Sequence, residues 1–197
     1  MLHSLVNGFD FFKPTLLTMD GVMVVLFYFT MYSFLGWMLE NSYNYFKKRV
    51  FLKENFFLGP FKPMYGFAPI LLIYLIGTNM HWAYVLLLCF IVPTLVEYGS
   101  GFLLERSFGR KWWDYSEHKL QLHGHVCLTF SAYWIILSLL VLTYIHPGIV
   151  AMYDAIESGW SLIWPTVGLY FIGELILAIK RHTPSTVTEE NPTKQIQ

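Results

Sequence analysis

Five stretches of this 197-residue chain are apolar over lengths that matter in a bilayer. A helix crossing the hydrocarbon core needs roughly 20 mainly apolar residues. Gly21–Leu39, Trp82–Leu104, Val126–Ile145 and Trp160–Ile179 meet that need. Pro63–Gly77 is short unless the chain from Gly59 contributes, which places a further span near 59–77. The composition agrees: 55% of residues are hydrophobic and 13% charged, where a soluble domain carries about 25% charged residues. These figures exclude a soluble domain, a disordered chain and a disulfide-stapled secreted module. Basic and acidic residues cancel at thirteen each, so nothing points to a nucleic-acid partner. Cys89 and Cys127 lie in apolar runs and no CxxC occurs, so both read as small core residues. The expected fold is all-α: a polytopic membrane helix bundle of about five transmembrane helices with structured cytoplasmic loops. It forms one transmembrane domain over 1–182, with a disordered cytoplasmic tail over 183–197.

Charge sets the expected direction of insertion, because Lys and Arg are retained on the cytoplasmic side. Twelve of the thirteen basic residues fall in loop 40–62, loop 105–125 and the tail after the last span. Loops 78–81 and 146–159 have none, and the N-terminal stretch has only Lys13. This pattern predicts a multi-pass protein with its N-terminus outside and its C-terminus inside. Residues 1–20 lack the pattern of a signal peptide. Leu2–Leu17, with Phe11, Phe12 and Leu16, reads as an interfacial segment, since Asp10 and Lys13 argue against a sixth crossing.

Ionisable residues are costly in a membrane, so each one within or beside a span is a functional candidate. Glu40 closes the first span, Glu97 and Glu105 lie on the third, and Glu174 lies in the fifth. Glu97 is expected ~12 Å from the cytoplasmic end of its helix. It is followed by Gly99, Ser100 and Gly101, which let a neighbouring helix or a ligand come close. Glu40 and Glu105 have a plainer alternative, facing headgroups or pairing with Lys47 and Arg106. Glu97 and Glu174 are read as facing a polar cavity or as making only a structural hydrogen bond.

Two loops expected on the cytoplasmic side are aromatic and rich in turn residues. Asn55–Gly66 (NFFLGPFKPMYG) cannot hold a regular helix through its prolines. It is either a structured, cavity-lining entry to the second span or an ordinary turn. Leu103–His125 carries Trp112, Trp113 and Tyr115, which suit a headgroup belt. Asp114 is expected to pair with Arg110, to cap a turn or to line the cavity. His123, His125 and Cys127 have metal-ligand identities, yet their alternation and the lack of a second Cys/His pair argue against a metal site. The two histidines are kept as candidates, either as groups that titrate near neutral pH or, more plainly, as partners in a hydrogen bond to backbone or to a carboxylate. Pro93 and Pro165 either bend their helices and open a space or are simply tolerated.

Several chemistries have no motif here. The chain has no GxxxxGK[ST], so it cannot cradle ATP through a P-loop, and no HExxH or GxSxG occurs. No cofactor is expected.

The segments FLGWMLE (34–40), FLGPFKPMYGF (57–67), VEYGSGFLLERSFGRKWWDYSEHKLQLHGHVCLTFSAYW (96–134) and HP (146–147) occur in one order. Together they resemble the ABC-transporter type IV (CmpB-like) family of small bacterial membrane proteins named as permeases. The resemblance runs from about Phe34 to Pro147 and draws nothing from Trp160 onward. One departure stands out: the family has Arg after the His-Gly pair, where this chain has His125. If that Arg balances Glu97 or Glu40, a neutral imidazole weakens the pairing. The resemblance implies a permease component of the bacterial cytoplasmic membrane, lying in the lipid bilayer with an ATPase on another polypeptide.

Five short-looped helices are few for a two-bundle transporter, so a homodimer or a partner permease is expected. The competing expectation is a membrane-embedded enzyme acting on a lipid-linked or apolar substrate, with Glu40, Glu97, Asp114, His123 and His125 as an acid–base group. A sensing protein that holds a flat apolar ligand ranks last. The residues expected to line a binding cavity are Glu40, Glu97, Glu105, Asp114, His123, His125 and Glu174.

Overall fold

The computed structural model describes residues 18–77 and 80–183. The expected interfacial segment Leu2–Leu17, and the tail beyond Thr183, lie outside the described residues. Helix α1 spans Met19–Lys48, α2 Pro63–Leu75, α3 Trp82–Phe108, α4 Leu128–Leu140 and α5 His146–His182. A π turn, Val141–Ile145, joins α4 to α5 without a break in the helix. A two-residue antiparallel pairing of β1 (Gln121–Leu122) with β2 (Val126–Cys127) precedes α4.

Local sequence sets the ends. Thr18 caps α1 by accepting a hydrogen bond from the Gly21 N–H at 3.1 Å. Gly109 ends α3 at φ +67°, a left-handed conformation open to glycine, and its N–H returns to the Glu105 carbonyl at 2.8 Å. Pro63 starts α2 at a position where its missing N–H has no helical partner anyway.

Three helices are long and apolar enough to cross a membrane: Met19–Lys48, Trp82–Phe108 and the continuous run Leu128–His182. Pro63–Leu75 is apolar but has only 13 residues. The expected loop at 146–159 is helical. Its buried residues His146, Ile149 and Tyr153, with Trp160 just beyond the segment, fall on one helical face, and this face keeps the segment wound against α1.

α5 bends around α1. His146 bonds Tyr32, Tyr153 packs on Phe27 and Tyr28, and the Trp160 indole N–H reaches the Met23 carbonyl. Farther along, Phe171 lies against Phe29, one turn from Tyr32. A straight helix would separate residues 146 and 171 by about 38 Å, too far for both contacts. The bend therefore falls between Trp160 and Phe171, where Pro165 removes a backbone donor.

α1 and α2 approach closely through two glycines. A Cβ on Gly36 would sit 2.2 Å from Tyr65, and one on Gly66 would sit 2.4 Å from the Ser33 hydroxyl. The bundle thus has two ends. We call the one carrying residues 49–62 and 109–127 the loop end, and the one near Met23 and Trp160 the far end.

Candidate functional site

Glu97 stands on α3 toward the loop end and is 3% exposed. Two elements besides its own helix hold it. The Tyr115 hydroxyl donates to one carboxylate oxygen at 2.9 Å, and the Trp134 indole N–H of α4 donates to the other at 2.8 Å. Tyr115 is fixed in turn by stacking on Phe130, with ring centroids 4.8 Å apart. Burial, reinforced by the adjacent Glu97, raises the Tyr115 phenol well above its usual range, so it keeps the proton it donates. Tyr65 of α2 packs on Trp134 at 5.4 Å.

Glu40, about two turns before the end of α1, is bracketed by two lysines. Lys53 bonds one oxygen, and Lys62 lies 2.7 Å from the other. The next residue, Asn41, accepts from the Lys53 backbone N–H at 2.9 Å. Together these contacts fold residues 49–62 back over the helix ends. Asn55 ties the same segment internally by donating to the Gly59 and Phe61 carbonyls. Lys62 completes the closure by donating its N–H to the Ser33 carbonyl at 3.0 Å. The Asn55–Gly66 stretch is therefore a built element, and its prolines mark the broken entry to α2.

Two cavities open at this end. One, of about 540 Å³, lies between α1, α2, α3 and α4 and has Glu40, Glu97, Asp114, Tyr65, Tyr115 and Trp134 in its wall. The other, of about 450 Å³, is mainly apolar, with Phe29, Phe57, Phe67, Leu104, Trp112 and Phe171 among its lining residues. The two share Glu40, Lys53, Met64 and Trp113. Both volumes fall in the range typical of small-molecule sites, about 300–1,000 Å³.

The seven sequence candidates separate into three groups. Glu40, Glu97 and Asp114 face the larger cavity. Asp114 also accepts from the Ser116 hydroxyl and N–H, and these bonds hold its carboxyl below the usual aspartate range. It caps a turn, as one of its alternatives required, while Arg110 pairs with Glu54 at 2.7 Å instead.

Glu105, His123 and His125 form a second cluster outside that cavity wall. His125 is 2% exposed, and its Nε2 lies 3.1 Å from Glu105. The partner of this imidazole is thus Glu105, in place of the expected Glu97 or Glu40. The His125 carbonyl accepts from the Trp113 indole at 2.8 Å. Its ring packs so close to Gly101 that a Cβ there would lie 2.9 Å from Nδ1. The small residue lets the loop close on α3. His123 is exposed and bonds the Tyr98 hydroxyl at 3.0 Å. Lys111 bridges the cluster, 4.0 Å from Glu105 and 3.8 Å from Asp114. Among the described residues no three His, Cys, Asp or Glu side chains gather to hold a metal ion.

Glu174 stands apart from both cavity walls. It accepts from the Leu58 and Gly59 backbone N–H groups at 2.8 and 2.9 Å and from the Tyr170 hydroxyl at 2.8 Å. This is the structural hydrogen bonding that the sequence left as one of its two readings.

Tyr115, Trp134, Lys53, Lys62 and Tyr65 were not singled out as site residues by sequence. Trp113 and Tyr115 read as headgroup anchors, yet both turn inward to polar partners. Their position in an aromatic run between basic residues gave no sign of which glutamate or carbonyl would receive them.

A family model described as Putative ABC-transporter type IV matches residues 27–179. The match includes most of α5, so the resemblance extends beyond Pro147 and takes in the segment from Trp160. Neither the curated proteins nor the solved structures compared with the chain gave a match. With more than three-quarters of its length aligned to that model, the chain belongs to the Putative ABC-transporter type IV family.

Proposed function

We propose that this chain is the membrane permease component of an ABC-type transporter in a bacterial cytoplasmic membrane, working with an ATPase on another polypeptide. The observation that carries this reading is the cavity of about 540 Å³ at the loop end, with the buried Glu97 in its wall. Family membership and three long apolar helices support a transport role in a bilayer.

In this reading the chain crosses five times. α1, α3, α4 with its π turn, and the part of α5 after Trp160 are four of the crossings. α2 needs help from its flanking residues, because 13 residues rise only about 20 Å. The loop end faces the cytoplasm, since it carries nearly all the basic residues. The cavity then opens inward, beside loops whose lysines and aromatic rings offer a docking surface for the ATPase. A second copy of the chain, or a partner permease, completes the pathway.

The arrangement favours binding over acid–base catalysis. Glu97 is held by two fixed donors and Glu40 by two lysines. A general acid or base must instead lie within about 3 Å of a reacting proton. Affinity purification of the intact chain from its own membranes in mild detergent tests the proposal. The expected result is an ATPase subunit, with or without a second permease copy, in fixed stoichiometry. A lone monomer that turns over a lipid-linked substrate unaided would overturn it in favour of the enzyme reading.

A further inference from the structure

The Glu97 carboxyl has no basic partner among the described residues. A buried carboxylate is normally paired with a basic group. The ion pairs of the described residues leave Glu97 out, and its two hydrogen-bond donors are neutral. The nearest acidic neighbour with a comparable role, Glu40, has two lysines of its own. Around Glu97 the cavity wall is aromatic, with Tyr65, Trp113, Tyr115, Phe130, Tyr133 and Trp134. A carboxyl group in an aromatic cavity wall is a setting that attracts an organic ammonium group.

The same cavity has basic residues elsewhere. Lys47 and Lys48 line it from the last turns of α1. They lie seven and eight residues beyond Glu40, on the order of 10 Å along the helix axis. Lys47 rests over the Tyr43 ring at 5.8 Å. A simple cation would meet these lysines, and a simple anion would meet Glu97. The adjoining apolar cavity shares Glu40, Lys53, Met64 and Trp113 with this one and offers a path for a hydrocarbon tail.

We propose that the larger cavity takes the head of a zwitterionic phospholipid, with its ammonium among the rings beside Glu97, its phosphate toward Lys47 and Lys48, and its chain in the apolar cavity. This deepens the transport reading by naming a substrate class and rests on that reading only for the claim that the occupant is carried. Binding is a separate matter: an ATPase that copurifies while the lipid fails to bind would reject the lipid alone.

The test titrates the purified full chain, delipidated in a non-ionic maltoside, and follows by calorimetry the heat of binding at the cavity lined by Trp113 and Trp134. Four probes are compared: lysophosphatidylcholine, lysophosphatidylglycerol, an alkyl trimethylammonium of equal chain length, and free phosphocholine. Lysophosphatidylcholine is expected to bind about tenfold tighter than each of the others, the size of one desolvated cation–ring or charge contact. Glu97→Gln weakens it and the ammonium probe by a similar factor and leaves lysophosphatidylglycerol unchanged. The pair Lys47→Ala and Lys48→Ala weakens both phospholipids and spares the ammonium. This second variant alters only residues at the exposed end of α1, so the proposal stays testable if Glu97→Gln fails to fold. Four results would each overturn the proposal. Equal binding of lysophosphatidylglycerol means an anionic lipid, and equal binding of the ammonium means a plain cation. Equal binding of free phosphocholine means a soluble zwitterion. No response to any probe means that the cavity holds no such head.

Discussion

The two ends of the bundle are held together by different means. At the far end, rings pack on rings. Phe27 meets Tyr153 and Trp160 at 5.3 and 5.1 Å, and Tyr28 meets His146 at 5.2 Å. The hydroxyls of Tyr28 and Tyr153 are buried there without a hydrogen-bond partner. At the loop end, single polar contacts carry the structure: Tyr115 and Trp134 to Glu97, two lysines to Glu40, and a loop backbone to Glu174. The far end is an apolar core that leaves some polar atoms unpaired. The loop end leaves open space and holds its three buried or half-buried glutamates with polar partners, while the Trp112 indole N–H and His125 Nδ1 there stay without one.

This contrast predicts a graded response to substitution. The largest effect is expected where the ends meet. Gly36→Val places atoms inside Tyr65, so it should destabilise by about 3 kcal/mol or more and separate α1 from α2. Loss of the folded peak in detergent chromatography is the readout, and a normal peak would show that the close approach is not required. Next comes Glu174→Ala, which removes three hydrogen bonds to a carboxylate and should cost about 2–3 kcal/mol. Faster hydrogen exchange confined to residues 55–61 would confirm the pinning role of Glu174, and unchanged exchange would contradict it.

Tyr115→Phe strips one donor from Glu97 and should cost about 1–3 kcal/mol in thermal stability. The matching change at the far end, Tyr28→Phe, removes a hydroxyl that has no partner and should stay within about 0.5 kcal/mol of neutral or be stabilising. Equal effects of these two substitutions would erase the difference between the ends. The smallest response is to acid. Asp114 is held below the usual aspartate range by Ser116. Its contribution to loop order is therefore present above pH ~4 and fades as the pH falls through that lowered value. Asp114→Asn should abolish this step, seen as exchange at the Ser116 amide.

The far end was more legible in the sequence than the loop end. Apolar runs of the right length announce helices, and burial of one face follows from their composition. Even so, 146–159 read as a loop, because it lies between two apolar runs of spanning length and the spacing of His146, Ile149, Tyr153 and Trp160 was passed over. Those four residues mark one helix face. At the loop end the sequence singled out Glu40, Glu97 and Asp114, since acidic groups near a bilayer must be accounted for. Their partners were hidden, because Tyr115 lies 18 residues from Glu97 and Trp134 lies 37 away. Such pairings depend on how the 109–127 loop folds over α3, which no local periodicity encodes. For the same reason, nothing near Glu174 in sequence pointed to a backbone loop 115 residues away.

The central claim is that the loop end holds a water-connected cavity with Glu97 in its wall. Two variants that each add one cysteine on α4 test it most directly. Leu137→Cys lies in the cavity wall, while its neighbour at Ile136→Cys is exposed on the outer surface of the bundle. Native Cys89 and Cys127 are buried and give little background. In opened membranes a charged, lipid-insoluble maleimide should label Leu137→Cys and leave Ile136→Cys untouched. Labelling of neither, or of Ile136→Cys alone, would mean dry packing where the account places the site.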